Sequence, residues 1–306
     1  MEQYSALKQF MESNGIPFKE QVPGAELTTF RTGGPAAIVA RPLYSGQLQA
    51  LVEEADLLEI PYFILGNGSN LLIPDEGVDM LLIRLCGEFE EVFFERSRGI
   101  MRAGAGASMA AAAKLSVAKG FMGLEWAAGI PGTVGGAVAM NAGAYGGEIS
   151  NVLRSVTVFK DGEFMILTPS EGDMGYRRSL FSYPGMVVLE AEFELLPDDG
   201  HAKERMEEYN RRRRDKQPLN FPSAGSAFKR PEGFFAGKLI EDAGLKGFGV
   251  GGACVSEKHA GFIINRGGAT TSDVLSVIEG VQHRVLEKYG VRLEPEVRIL
   301  TNKGAK

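Results

Sequence analysis

The sequence predicts an α+β fold in two parts, and three observations support that prediction. The chain has 306 residues, the length of about two domains of roughly 150 residues each. Stretches with strand periodicity and stretches with helical periodicity both occur, without the strict strand–helix alternation of a doubly wound sheet. Glycine supplies 40 of the 306 residues, about 13% where ~7% is usual, and it is concentrated in clusters that share no repeat period.

Short helices and short strands are predicted in the first part of the chain. A helix over residues 4–14 ends at Gly15, and a helical pattern over residues 47–58 ends before Pro61. Apolar runs predict strands over residues 37–40, 62–65, 79–85 and 99–103.

Two sharper local signals follow. Ser108 can cap a helix that runs through the next alanines, and Gly120 would supply its left-handed end. The Asp161-Gly162 pair between two apolar runs predicts a β-hairpin. The strands of this region are predicted over residues 152–160, 163–167 and 187–196.

The last third of the chain has a different composition. Residues 199–216 are charged and helix-prone and end before Pro218, which predicts a hinge between domains at that proline. Further elements are a helix over residues 234–243 ended by Gly244, an amphipathic helix over 272–289 ended by Gly290, and a final strand over 292–300. We expect Phe234 and Phe235 to lie in the core or line a pocket.

Charge and cysteine content exclude several classes of protein. A formal net charge of −6 gives no global reason to expect nucleic acid or an anionic membrane as a partner. Two distant cysteines do not form a disulfide framework and suit a reducing compartment. No apolar signal core and no uninterrupted apolar run of ~18 residues is present. We therefore expect a cytoplasmic protein, without a metal site.

Two glycine loops could carry chemistry. Gly66-Asn67-Gly68-Ser69-Asn70 follows a strand, and its backbone N–H groups and hydroxyl could bind a pyrophosphate. The loop lacks the third glycine of a dinucleotide fingerprint, because Leu71 stands there, and an ordinary tight turn remains open. Residues 129–146 interleave glycine with apolar residues, which favours ordering against a large flat group over a packed glycine turn.

The motifs resemble those of a known family. Thr29-Phe30-Arg31-x-Gly33-Gly34, the Gly66 loop and Gly129-Ile130-Pro131-Gly132-x-x-Gly135-Gly136 resemble the FAD-binding domain of the vanillyl-alcohol-oxidase (PCMH) type. Tyr176-Arg177-Arg178-Ser179, Ala224-Gly225-Ser226-Ala227-Phe228-Lys229 and Leu293-Glu294-Pro295-Glu296-Val297-Arg298 resemble the UDP-N-acetylenolpyruvoylglucosamine reductases. The short connection after Ser179 is similar to the shorter, second type of that family, whose substrate cleft is less covered.

The resemblance implies a fold and an activity. It implies a PCMH-type FAD-binding domain over residues 1–200, with two α+β subdomains split near residue 88, and a smaller α+β substrate-binding domain over 201–306. The implied reaction is the reduction of an enolpyruvyl UDP-sugar in peptidoglycan precursor synthesis, with non-covalent FAD as cofactor and NADPH as co-substrate. Arg177 would stabilise the developing enolate, Ser226 would donate the proton, and Glu296 would act beside it.

The resemblance also implies binding residues. Those for FAD are Arg31, Gly66, Asn67, Gly68, Ser69, Asn70, Leu71, Gly129, Ile130, Pro131, Gly132, Gly135, Gly136, Asn141, Gly143 and Arg298. Those for the UDP-sugar are Tyr145, Lys216, Arg230 and His259. Arg230 stands where the family often has asparagine, so its contact is less secure than that of Lys216. An exposed loop role for His259 remains open.

Three alternatives remain open at this point. They are another flavin oxidase of the same FAD-binding superfamily, a non-catalytic nucleotide-sugar-binding protein, and a nucleic-acid-binding protein that uses Arg211–Arg214. Against the last, glutamates precede the arginines at helical spacing, which predicts a solvated helix with Glu–Arg pairs. We expect a monomer without nucleic-acid or membrane partners.

Overall fold

The computed structural model describes residues 2–305. Its α-helices are α1 (Glu2–Ser13), α2 (Gly24–Leu27), α3 (Ser45–Leu57), α4 (Met109–Ala118), α5 (Val134–Ala139), α6 (Ala202–Lys216), α7 (Ala236–Asp242) and α8 (Thr271–Tyr289). Short 3₁₀ helices cover Gly87–Glu90, Glu125–Gly129, Ile149–Asn151 and Leu180–Ser182. No helix among residues 2–305 is both long and apolar enough to cross a membrane.

The strands of the same range are numbered in chain order. They are β1 (Phe18–Pro23), β2 (Pro35–Ala40), β3 (Tyr62–Ile64), β4 (Leu71–Leu72), β5 (Val78–Ile83), β6 (Val92–Glu95), β7 (Ile100–Gly104), β8 (Phe121–Met122), β9 (Gly143–Ala144), β10 (Gly147–Glu148), β11 (Leu153–Lys160), β12 (Glu163–Leu167), β13 (Met174–Gly175), β14 (Arg178–Ser179), β15 (Val187–Glu194), β16 (Leu196–Pro197), β17 (Gly249–Val250), β18 (Ala253–Val255), β19 (Ile263–Asn265), β20 (Arg298–Thr301) and β21 (Gly304–Ala305). The larger sheets have the orders β12-β11-β15-β7-β6, β1-β2-β5-β3, β17-β18-β19 and β21-β20-β4. The mixture of helices with largely antiparallel sheets confirms the predicted α+β class.

Local sequence signals predicted their elements well. The Ser108 hydroxyl accepts a hydrogen bond from Ala111 N at 3.3 Å and so begins α4. Asp161 and Gly162 both have positive φ, 51° and 82°, as a tight hairpin turn between β11 and β12 requires. Gly290, with φ of 67°, ends α8 in the left-handed conformation.

Several short strands and helix α2 were not predicted, and three differences from the prediction have a clear physical reason. The final strand is wrong over most of its length: only Arg298–Thr301 is a strand, because residues 294–296 instead bond to the Ser226 segment. Strand β1 was not predicted, since its mostly exposed residues show no apolar alternation. Helix α5 lies inside the second glycine loop, where Thr133 caps Gly136 N at 3.3 Å and compensates for two glycines of low helix propensity.

The described chain forms two compact units. The first takes in the chain through Lys19, Val39–Gly66 and Leu81–Arg213, and the second takes in Glu20–Ile38, Asn67–Met80 and the chain from Arg214 onward. The two units are defined by packing and the predicted division at residue 200 is defined by function, so that division stays a prediction.

The core of the first unit contains the antiparallel sheet β12-β11-β15-β7-β6. Strands β11 and β15 are its centre, and their inward side chains are fully buried, among them Val156, Val158 and Phe193. Helix α5 packs against β15, so the segment that follows α5 is held close to a rigid sheet.

The core of the second unit is built on the long helix α8. Its apolar stripe buries Val274, Ile278, Val281 and Val285 against α7, β18 and the residues around Leu293. Thr270 and Asp273 form a capping box at the start of α8. This core carries the loops that hold Ser226 and Glu296.

Candidate active site

Arg177 stands at the tip of a very short hairpin in the first unit. Strands β13 and β14 pair Met174 with Ser179 and Gly175 with Arg178, which leaves Tyr176 and Arg177 as the turn. Arg177 has a φ of 55°, a left-handed conformation that costs an L residue ~1–2 kcal/mol. Its Nη2 donates to the carbonyl oxygen of Gly143 at 3.3 Å. A strained arginine that is tethered by its head is typical of a functional position.

Two buried polar side chains attach the hairpin to the end of α5 and to the segment that follows it. Asn141, 1% exposed, donates from Nδ2 to the carbonyl oxygen of Gly175 at 3.1 Å, and its Oδ1 accepts from Ser150 N at 2.9 Å. Ser179, 2% exposed, donates from its hydroxyl to the carbonyl oxygen of Ala139 at 2.8 Å. Asn141 was predicted to bind FAD; its side chain lies inside the protein.

Ser226 and Glu296 belong to neighbouring segments of the second unit. Glu296 N donates to the carbonyl oxygen of Ala227 at 2.9 Å, and Ala227 N donates to that of Gly261 at 2.8 Å. Ser226 is exposed and forms an isolated β-bridge with Phe262, whereas Glu296 is half-buried. The backbone therefore brings together two of the three predicted catalytic residues.

Asn70 connects the first glycine loop to the Glu296 segment. Its Nδ2 donates to the carbonyl oxygen of Glu296 at 2.9 Å, and its own carbonyl accepts from Arg298 N at 3.1 Å. Leu71 and Arg298 are paired in the parallel strands β4 and β20. Burial lowers the pKa of the Arg298 guanidinium, whose Nη2 donates to the carbonyl oxygen of Ala305 at 3.1 Å.

Several predicted glycines are required by close packing. A Cβ at Gly68, where φ is 59°, would overlap the carbonyl oxygen of Leu27. A Cβ at Gly66 would lie 2.7 Å from Thr133 Oγ1, so the first glycine loop touches the N-cap of α5. Within the first unit, Gly66 thus packs against the Thr133 hydroxyl at the start of α5, and a hydroxyl with backbone N–H groups is a donor set that fits a pyrophosphate.

Other predicted FAD residues are accessible to different degrees. Arg31 and Pro131 are exposed, and Arg31 has a positive φ of 57°. The half-buried members of this set are Asn67, Ser69, Asn70, Gly129, Ile130, Gly132, Gly135 and Gly143. Gly136 is exposed. Among residues 2–305, no three His, Cys, Asp or Glu side chains are grouped so that they could bind a metal.

Tyr145 lies against helix α6 in the first unit. Its ring stacks on that of Tyr209 with centroids 4.8 Å apart and planes 8° from parallel. Burial raises the pKa of the Tyr145 phenol, and the nearby Arg213 and Arg212 lower it in part. Sequence reasoning missed Tyr209, although it is the one aromatic residue in α6.

His259 lies in the second unit, half-buried against the ring of Phe262, with centroids 4.9 Å apart. Its Nδ1 accepts a hydrogen bond from Gly261 N at 3.1 Å, which leaves Nε2 to carry the proton of the neutral ring. Burial lowers the pKa of His259, and Lys216 lowers it further. His259 is therefore an uncharged hydrogen-bonding group at neutral pH.

Arg230 is stacked on a phenylalanine. Its guanidinium carbon lies 3.9 Å from the ring centroid of Phe235, and its Nε donates to the carbonyl oxygen of Phe234 at 3.3 Å. Both phenylalanines are exposed, by 46% and 61%, so the expectation that they lie in the core is wrong, and a pocket-lining position stays a prediction. Their rings are available to Arg230 because the 230–235 segment is exposed.

Helix α6 contains the arginine run and pairs much of its charge internally. Glu208 pairs with Arg211 at 2.7 Å and with Arg212 at 2.6 Å, which confirms the predicted Glu–Arg pairs. Arg205 binds the buried Glu125 at 2.7 Å, an ion pair between distant positions that no local pattern indicates.

Two family models match the chain. One is the "FAD binding domain" over residues 36–168, and the other is "UDP-N-acetylenolpyruvoylglucosamine reductase, C-terminal domain" over residues 217–300. Both contain residues of the sites described above: the first glycine loop and α5 in one, Ser226 and Glu296 in the other.

Relatives that carry the name of the second family model are similar over nearly the whole chain. A UDP-N-acetylenolpyruvoylglucosamine reductase of Agathobacter rectalis is 48% identical over 290 residues, 91% of this chain and 92% of the relative. That of Clostridium perfringens strain SM101 is 44% identical over 302 residues, 98% of both. The crystal structure of the reductase from Thermus caldophilus matches with a TM-score of 0.78 and 38% identity, over 93% of this chain and 98% of that one.

Proposed function

The chain belongs to the UDP-N-acetylenolpyruvoylglucosamine reductase family, and from that membership we propose which of its residues carry the reaction. The protein is an FAD-dependent, NADPH-using oxidoreductase of peptidoglycan precursor synthesis. It reduces the enolpyruvyl ether of UDP-N-acetylglucosamine to the lactyl ether, UDP-N-acetylmuramate. Bound FAD supplies the hydride, taken from NADPH, that adds to the terminal vinyl carbon.

Arg177 stabilises the charge that this addition creates. Negative charge spreads over the neighbouring carbon and the substrate carboxylate, and a guanidinium can bind a carboxylate with two parallel N–H groups. The strained turn and the bond to Gly143 support this role, because they hold the Arg177 head in place before the reaction. Loss of one such preorganised donor typically costs ~2.7–4 kcal/mol of activation free energy.

Ser226 donates the proton that completes the reduction, and Glu296 acts next to it. The observation that carries this proposal is the 2.9 Å hydrogen bond from Glu296 N to the carbonyl oxygen of Ala227, which fixes the two segments side by side. A serine hydroxyl is a weak acid, so it needs a neighbour that orients it and takes part in restoring its proton. The Glu296 carboxyl group is the candidate for both tasks.

The FAD pyrophosphate is assigned to the glycine loop at Gly66–Asn70 and the turn that leads into α5. The close approach of Gly66 to Thr133 supports that assignment. Asn70 and Arg298 join this loop to the Glu296 segment through hydrogen bonds. FAD binding is assigned mainly to residues 1–200 and substrate closure to residues 201–306.

For the UDP-sugar we assign Tyr145, Lys216, Arg230 and His259. The Tyr145 hydroxyl and the neutral His259 Nε2–H are suitable donors to diphosphate oxygens, and Lys216 neutralises phosphate charge. The stacked face of Arg230 supports a fixed guanidinium rather than a mobile one. We further assign the protein to the cytoplasm, as a monomer without nucleic-acid or membrane partners.

Half-reaction kinetics test these roles. The purified full chain is titrated anaerobically with NADPH and then with the enolpyruvyl UDP-sugar while the flavin absorbance is recorded. We expect the flavin absorbance to be lost in the first step and to recover in the second. Ser226→Ala and Arg177→Ala should slow the second step and spare the first. Equal loss in both steps would contradict the assigned roles, and a colourless protein that does not take up FAD would contradict the function itself.

A further inference from the structure

The hairpin that carries Arg177 is too short to be rigid by itself. It contains two residue pairs, Met174 with Ser179 and Gly175 with Arg178, and isolated two-stranded hairpins are marginal even when longer. Its position must therefore come from attachments to the rest of the first unit. Two such attachments are the buried side chains of Asn141 and Ser179.

Asn141 is suited to this attachment in three ways. Its amide is 1% exposed, and both of its ends are bonded to backbone, Nδ2 to Gly175 and Oδ1 to Ser150. Its φ of 42° is left-handed, a conformation that asparagine tolerates better than most residues. Gly175, which receives the amide hydrogen, is separated from Arg177 only by Tyr176.

We propose that Asn141 is a positioning residue for Arg177 rather than a contact to FAD. The inference rests on the proposed role of Arg177 and deepens it. Asn141 donates to the carbonyl oxygen of Gly175 in β13, and Ser179 in β14 donates to that of Ala139. The guanidinium of Arg177 donates to the carbonyl oxygen of Gly143. All three anchor points lie within residues 139–143, from the last residue of α5 to β9, so that segment sets where the head of Arg177 lies.

The decisive variant is Asn141→Asp. An ionised aspartate keeps the acceptor for Ser150 N and tolerates the left-handed backbone, but it cannot donate to the carbonyl of Gly175. Asn151→Asp is the matched control, because it adds the same charge ten residues further on, in the 3₁₀ helix Ile149–Asn151, and its Oδ1 accepts only from Glu148 N among the bonds described. Ser179→Ala tests the second attachment and serves if Asn141→Asp does not fold.

We expect Asn141→Asp to slow the substrate half-reaction by about tenfold to a hundredfold, as misplacement of a reacting group does. FAD content and reduction by NADPH should match those of the Asn151→Asp control. The defect should shrink as the pH falls, because a protonated carboxyl regains a donor for Gly175. In an Arg177→Ala background, Asn141→Asp should cause no further loss, since both changes then remove the same interaction.

Opposite results would overturn the proposal. Loss of FAD content, or equal slowing of both half-reactions, would make Asn141 a cofactor or purely structural residue. A defect that persists in the Arg177→Ala background would show that Asn141 does not act through Arg177. Hydrogen exchange of residues 173–180 in Asn141→Asp separates failure of the attachment from failure of the role of Arg177. If exchange accelerates in that variant but Arg177→Ala leaves the rate of the substrate half-reaction unchanged, the attachment exists and the role of Arg177 is wrong. Unchanged exchange would refute the attachment itself.

Discussion

Replacing Asp75 should destabilise the second unit through the start of helix α8. The carboxylate of Asp75 accepts hydrogen bonds from Thr271 N at 2.7 Å, from Ser272 N at 2.8 Å and from the Ser272 hydroxyl at 2.6 Å. It thereby satisfies N–H groups in the first turn of a 19-residue helix and places a negative charge at its positive end.

The magnitude follows from these contacts. Loss of a helix-capping side chain to alanine costs ~1 kcal/mol, and loss of a charge at the helix N-terminus costs a further ~0.3–1 kcal/mol. Asp75→Asn keeps one acceptor oxygen and should cost about 1 kcal/mol, and Asp75→Ala about 2 kcal/mol. For domains of this size these values correspond to decreases in Tm of about 2–4 °C and about 4–8 °C.

The effect should depend on pH with a defined sign. Burial pushes the pKa of Asp75 up, but the hydrogen bonds from Ser272 and Thr271 outweigh burial and bring it below its ordinary value of 3.8. A carboxyl whose pKa is lower in the folded state stabilises the fold above its unfolded pKa, and that stabilisation disappears as the pH falls through the folded pKa. The wild-type advantage over Asp75→Asn should therefore be full at pH 7 and vanish in acid.

Thermal unfolding at pH 7 and at several lower pH values measures this dependence. Asp79→Asn is the matched control, because the backbone N–H of Asp79, and not its carboxylate, makes the hydrogen bond to Asn302 Oδ1. Equal Tm values for Asp75→Asn and Asp79→Asn at pH 7 would refute the capping role. A difference that stays constant into acid would refute the electrostatic part.

Three further predictions are tested by thermal unfolding, by FAD affinity and by urea unfolding. Gly68→Ala should lower Tm and FAD affinity because its Cβ overlaps the carbonyl oxygen of Leu27, whereas Gly200→Ala, with nothing within 4 Å, should lower Tm only by its backbone strain. Arg205→Met should cost about 2 kcal/mol in urea unfolding by leaving the buried Glu125 without this partner; a cost no larger than that of an exposed ion pair would contradict it. Burial lowers the pKa of His259 below its ordinary 6.5, so the wild type should lose stability as the pH falls below 6.5, and a His259→Gln variant with the same pH slope would contradict this.

Elements with local signals could be predicted from sequence. The Asp161-Gly162 turn, the Ser108 cap and the Gly290 end each depend on residues within a few positions of each other. The family motifs predict that Ser226 and Glu296 act together. The hydrogen bond from Glu296 N to the carbonyl oxygen of Ala227 places their segments side by side, and their roles stay predictions.

The remaining features depend on partners far away in sequence. Residues 292–297 have strand periodicity. The backbone of residues 294–296 pairs instead with the segment that contains Phe228 and Lys229, so only the short strand β20 forms beyond it. The two ends of the Asn141 amide are committed to Gly175 and Ser150, which no pattern around Asn141 indicates. Phe234 and Phe235 look like core residues until Arg230 is seen to stack on one of them.

The parallel pairing of β4 with β20 has a consequence for the synthesis of the chain. Leu71 pairs with Arg298, and Asn70 bonds to a residue 226 positions later. At a translation rate of ~5–20 residues per second, the 227 residues from Leu71 to Arg298 take about 11–45 s to make, so the first glycine loop leaves the ribosome long before its partner exists. During that interval the nascent loop lacks its neighbour strand, and the Ser226 and Glu296 segments come together only after nearly the whole chain has been translated.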